Sequence, residues 1–199
     1  MPTKNHPHLF KPLTLDGLRL NNRITMAPLY LGYAGEGGKV SPLILHHYRR
    51  MARSGAALIV VENAAVATGG MGSPRTLRCD HGRFVPGLRT LAGAIQQESA
   101  LAALQINHAG RFAHVADPVA PSAVPTFGRT PRELSRREII AIQKQFAAAA
   151  QRVKEAGFDL VELHGGTGYL LAQFVSPRTN KRMDAYGGSL ENRMRFPLE

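Results

Sequence analysis

Two rhythms of apolar residues alternate along the chain. Short, mainly apolar strands centred on residues 24–27, 57–61, 101–106 and 159–163 each lead through a loop into a stretch where apolar positions recur at helical spacing. Ala57-Leu58-Ile59-Val60-Val61 has no polar face, as expected of a strand covered on both sides within a parallel sheet. The covering helices are marked by Ile44, Tyr48 and Met51 after Ser41-Pro42, by Leu88, Leu91, Ala92 and Ile95 after Pro86, and by Ile139, Ile142, Phe146, Ala150 and Val153. Ser135 with Glu138 forms a capping box at the start of the last of these, and Gly157 supplies its stop. Ahead of them all, residues 13–20 alternate around Asp16-Gly17, the pattern of a β-hairpin.

Strand–helix units with right-handed crossovers build either an open doubly wound sheet or a (β/α)8 barrel. Four units within 199 residues correspond to half of a barrel of about 250 residues. The fourth helix is just beginning in Ser189-Leu190-Glu191-Asn192, so residues 1–199 read as one domain, the amino-terminal half of an α/β barrel. Residues 111–134, with prolines at 118, 121, 125 and 131, form a loop long enough to act as a lid over a strand end. Gly35-Glu36-Gly37-Gly38-Lys39 reads as a mobile loop over the first strand.

Composition narrows the setting. Lys and Arg outnumber Asp and Glu by 25 to 14, giving a net charge of +11, but the basic residues are scattered. Their local groups, Arg129, Arg132, Arg136 and Arg137, then Lys181 and Arg182, lack interleaved aromatics and read as a solvated basic surface, without nucleic acid as partner. No apolar run approaches a membrane span, and the first residues lack the apolar core of a signal peptide, so a cytoplasmic protein without a membrane partner is expected. Cys79 is the single cysteine, which excludes an internal disulfide and fits a spectator thiol. No metal site is expected.

Chemistry concentrates after the fourth strand. His164 and Tyr169 leave its carboxyl end, where α/β folds assemble their sites. Gly165-Gly166-Thr167-Gly168 lacks the Gly-Lys-Ser/Thr ending of a P-loop and the full dinucleotide fingerprint, so it reads as a turn admitting a ligand to the backbone. Glu62 and Glu162 sit at strand ends, where ion pairing inside the barrel is the preferred reading over a paired acid and base. Taken singly, Gln105 is equally readable as a satisfied structural amide, and His164 reads more readily as a hydrogen-bonded structural histidine.

Several motifs, in order, resemble the Old Yellow Enzyme family: Asn22-Arg23-Ile24-Thr25-Met26-Ala27-Pro28, Gln105-Ile106-Asn107-His108-Ala109-Gly110-Arg111, residues 156–164, Ser176-Pro177-Arg178-Thr179-Asn180, and Tyr186-Gly187-Gly188-Ser189. These are FMN-dependent ene-reductases, including the 2,4-dienoyl-CoA reductase and NADH:flavin oxidoreductase branch. The resemblance runs from about Leu9 to the last residue and covers the first half of the family's barrel.

It implies FMN as cofactor and NADH or NADPH as hydride donor. Ala27, Pro28 and Leu29 would lie beside the flavin, Asn63 next to it, and Gln105 would hydrogen-bond its pyrimidine end. His164 would hold the carbonyl oxygen of an activated alkene, an enone or enoyl-CoA-like substrate, and Tyr169 would supply a proton. His108 and Arg111 rank below Gln105, as loop organisers. Thr167 stands where many members carry a second histidine or an asparagine, and Tyr30 where relatives tune the flavin's potential. The loops that grip FMN phosphate in the family follow later strands, and any iron–sulfur region would lie beyond residue 199. A carboxyl-terminal half chain or self-association is therefore expected to complete the barrel. The alternatives are a non-catalytic half barrel and a flavin-dependent tRNA uridine reductase, which would need a cysteine acid after the third strand.

Overall fold

The computed structural model describes residues 6–199. Its strands are β1 (Leu13–Leu15), β2 (Leu18–Leu20), β3 (Thr25–Met26), β4 (Leu58–Ala65), β5 (Leu77–Arg78), β6 (Leu101–Asn107), β7 (Val119–Ala120), β8 (Arg132–Glu133) and β9 (Leu160–Leu163). The α-helices are α1 (Pro42–Ala52), α2 (Val85–Gln96), α3 (Arg136–Glu155), α4 (Leu170–Val175) and α5 (Leu190–Leu198). Strands β1 and β2 pair antiparallel around Asp16 (φ 46°) and Gly17 (φ 82°), the left-handed pair that a tight hairpin requires.

The main sheet runs β3-β4-β6-β9, every pair parallel. Each strand lies beside the one before it, without the reversal of a doubly wound sheet, so the chain winds as half of a barrel. Ile59, Val61, Ala102, Leu104 and Ile106 face the helix layer and pack with Tyr48, Leu88, Leu91, Ile95 and Val153. By alternation Val60, Ala103 and Gln105 face the concave side. Helix α1 begins where Ser41 Oγ accepts from Ile44 N, with Pro42 at the first position. The Ser135–Glu138 capping box starts α3, and Gly157 (φ 86°) turns the chain out of it.

Several expectations need correction. Strand β4 continues to Ala65 because Glu62 and Asn63 fall where its register with β6 shifts, so two polar residues bend the strand without ending it. The helix faces stand as expected, with Met51, Phe146 and Ala150 partly buried against the core and Ala52 and Ala149 fully covered beside them. Residues 35–39 form a packed turn in which Gly35 N donates to Lys39 O at 2.8 Å; a Cβ on Gly38 would meet Arg78 Cγ at 2.5 Å. Arg182 is 7% exposed and belongs to the interior, since Pro121 O, Leu134 O and Asp184 surround its guanidinium.

That arginine helps to order the 111–134 loop, where β7 and β8 pair in parallel. A second core, with Leu134, Ile139, Leu171, Phe174, Tyr186 and Phe196, joins this loop to α4 and α5; Phe174 and Phe196 stack at 4.2 Å. Strands β3 and β9 end the sheet, and Val161 and Leu163, on the helix-facing side of β9, are 37% and 50% exposed. Among the described residues no helix is long and apolar enough to cross a membrane.

Candidate active site

His164 follows β9 directly, and its backbone N–H donates to Ile106 O at 3.1 Å, extending the pairing with β6. The chain then turns through Thr167 (φ 58°) and Gly168 (φ 73°), and Tyr169 N donates to Gly166 O at 3.2 Å. Two successive left-handed residues swing Tyr169 back over the strand end. Its ring meets that of His164 edge to face, 4.9 Å between centroids and 78° between planes. The turn is tethered to β6 by Leu170 N donating to His108 O at 3.0 Å.

Burial lowers the pKa of His164 from the ordinary histidine value, with Glu162 opposing, so the ring is predominantly neutral at pH 7. Burial, and then the Tyr30 phenol, raise that of Tyr169, which keeps its proton. The Tyr30 hydroxyl is hydrogen-bonded to Ser73 Oγ, and the Tyr169 hydroxyl lies 3.4 Å from where a Cβ on Gly72 would stand. Gly72-Ser73 therefore brings a second phenol to the site. Thr167 is exposed in this turn.

Gln173 was invisible to the sequence reading. It is 1% exposed, donates to Gly168 O at 2.7 Å and to Ala109 O at 3.3 Å, and accepts from Arg111 N at 3.2 Å. One carboxamide thus ties the loop after β6 to the turn that presents Tyr169. The available signal was a lone amide within the apolar run Leu170-Leu171-Ala172-Gln173-Phe174-Val175.

A row of carboxamides lines the ends of β4 and β6. Gln105 Nε2 donates to Glu162 Oε1 at 2.7 Å, and Asn107 Nδ2 donates to Asn63 Oδ1 at 3.3 Å. Asn107 Oδ1 is buried without a partner, and the Gln105 carbonyl and Asn63 amide make no hydrogen bond among the described residues. Spare donors and acceptors in a buried row suit a heteroaromatic edge that alternates the two, as a flavin's does. Ala27, Pro28 and Leu29 follow β3 alongside, with Ala27 and Leu29 exposed. The residues present fit the flavin.

Neither glutamate forms the expected ion pair. Glu62 Oε2 accepts from Leu31 N at 3.1 Å, its Oε1 has no partner, and burial pushes its pKa up to about 7. Glu162 holds Gln105. His108 is a loop organiser: burial takes it down to about 4, its Nδ1 accepts from Gly110 N at 3.1 Å, and its ring leaves no room for a Cβ at Gly70. Cys79 is fully buried, with burial pushing its thiol up to about 12.

Residues 8–199 match the NADH:flavin oxidoreductase / NADH oxidase family. The chain belongs to this family. A metal reductase of Desulforamulus reducens is 47% identical over 96% of the chain, which spans 29% of that protein. A 2-naphthoyl-CoA reductase solved with 2-naphthoyl-CoA superposes with a TM-score of 0.93 at 30% identity, covering 97% of the chain and 32% of its own. An Old Yellow Enzyme homologue from Zymomonas mobilis gives 0.89 at 31% identity, covering 96% and 57%. The chain thus spans well under two thirds of the length of these relatives. The half barrel is the amino-terminal part of the Old Yellow Enzyme barrel, and FMN with a nicotinamide donor are this oxidoreductase family's cofactors.

Proposed function

We propose that the complete protein is an ene-reductase acting on the activated C=C bond of an enone or enoyl-CoA-like substrate. The supporting observation is the edge-to-face pair of His164 and Tyr169 at 4.9 Å, beside the unfilled carboxamide row. When bound and reduced by NADH or NADPH, FMN would supply hydride chemistry at the β-carbon of the alkene. Negative charge grows on the carbonyl oxygen, where His164 donates a hydrogen bond. Tyr169, held protonated by its surroundings, delivers its proton to the α-carbon and completes the reduction. Gln105, Asn63 and Asn107 would hold the ring edge, with the backbone of Ala27, Pro28 and Leu29 alongside.

The reading requires a full barrel. Sheet-end strands β3 and β9, and the exposed Val161 and Leu163, call for a carboxyl-terminal half or a second copy to cover them. Flavin content and NADPH-dependent reduction of 2-cyclohexenone by the assembled protein test this, and absence of both returns the non-catalytic half barrel. With Tyr169→Phe, flavin reduction should persist while enone reduction falls by about 10²-fold or more. Unchanged turnover would remove the acid role.

A further inference from the structure

Beside Tyr169 stands a cation with no anion. Arg111 Nε is buried without a hydrogen-bond partner, and the ion pairs of the described residues all use other cations. Its guanidinium carbon lies 4.7 Å over the ring of Phe112. Stacking on an aromatic face stabilises a guanidinium but satisfies none of its N–H donors. The arginine is held in place from behind, because its backbone N–H is fixed on Gln173 Oε1.

Aromatic rings extend outward from this arginine. Phe112 stands 6.2 Å from Tyr169 and 5.8 Å from Phe127, so four rings run from His164 through Tyr169 and Phe112 to the tip of the 111–134 loop. Phe127 is 89% exposed at φ 46°, in the turn that Thr126 and Arg129 close. The turn bearing Tyr169 passes beside the same group: a Cβ on Gly168 would lie 3.3 Å from Phe112 Cε2 and 4.0 Å from Arg111 Nη2.

We propose that Arg111 with Phe112 and Phe127 forms an outer subsite for the phosphoryl group of a nucleotide-bearing ligand, either an acyl nucleotide thioester or the nicotinamide donor. The placement of the reacting end rests on the ene-reductase reading. A planar guanidinium matches phosphate oxygens with paired N–H donors, and partial burial strengthens that contact relative to water. The chain's net charge of +11 draws polyanions toward it. The exposed Phe127 ring offers a face to a planar base or acyl group.

The test measures binding of butyryl-CoA and of NADP⁺ to the flavin-loaded protein by calorimetry, without turnover. Arg111→Gln should weaken one of them by about tenfold or more, with partial recovery in Arg111→Lys, and leave KM for neutral 2-cyclohexenone unchanged. Weakening of butyryl-CoA assigns the phosphate to the substrate, and weakening of NADP⁺ assigns it to the donor. Unaltered affinity for both, an equal rise in KM for the neutral enone, or no binding of either by the parent protein overturns the proposal. Should Arg111→Gln fail to fold, Phe127→Ala at the exposed tip replaces it, with about threefold weakening of the same ligand expected and no change overturning the subsite. Failure of the ene-reductase reading would show separately, as Tyr169→Phe retaining enone reduction.

Discussion

The carboxamide of Gln173 occupies the space that a side chain at Gly110 would need: a Cβ there would stand 2.4 Å from Gln173 Oε1. Gly110 also sits at φ 60°, so its lack of a side chain answers two constraints at once. Gly110→Ala should destabilise the protein by about 2–4 kcal/mol in urea denaturation. Gln173→Ala removes the clash but strands Gly168 O, Ala109 O and Arg111 N, so the double variant should lose less than the sum of the singles. Additive losses would show that the two positions are not coupled.

Glu62 makes stability depend on pH in a defined direction. An unfolded glutamate releases its proton near the ordinary value of 4.5, whereas the folded one retains it to about 7. The native state holds more protons in that window, so this group's contribution falls as pH rises through it, by about 3 kcal/mol at most. His108, held down at about 4 by burial, works the other way, costing stability as pH falls from 6.5. Glu62→Gln should therefore gain on the parent as pH rises, most near pH 8, and expose the rising His108 slope. Denaturation midpoints with the same spacing near pH 5 and pH 8 would contradict this.

Arg182 should tolerate neither truncation nor the conservative change. Its guanidinium donates to Leu134 O at 2.6 Å, to Pro121 O at 2.9 Å and to both oxygens of Asp184 at 2.7 and 3.0 Å. An ammonium cannot reach in those directions together. Arg182→Ala is expected to cost about 3–5 kcal/mol, with Asp184 left unpaired, and Arg182→Lys to restore less than half of it. Proteolysis within residues 111–134 would rise in both.

Cys79 should ignore thiol reagents in the native state. Its sulfur contacts Ala65 O at 3.4 Å, and the thiolate is disfavoured by burial and by Asp80. Labelling should follow global unfolding in urea. Rapid modification of folded protein would place the thiol outside the core.

Much of the architecture lay in local rhythm. The Asp16-Gly17 hairpin, the Ser135–Glu138 cap and the covered run at Ile59 each draw on residues close in sequence, and helix and strand periods follow from backbone geometry alone. His164 and Tyr169 were legible for the same reason, lying five positions apart at one strand end. The contacts that hold the surrounding loops in place span greater distances. Gln173 reaches Gly168, Ala109 and Arg111, Tyr30 reaches Ser73, and Arg182 reaches Pro121, so no window of neighbouring residues contains both partners. Burial is likewise a property of what packs above a residue. Glu62 reads as an ion-pair partner until the segment after β3 sets Leu31 N against its carboxylate, and Arg182 reads as surface until the loop closes over it. Amino-acid order specified the strands and the chemistry at their tips; the winding of the half barrel decided which polar groups were shut away from water, and thus what each had left to bind.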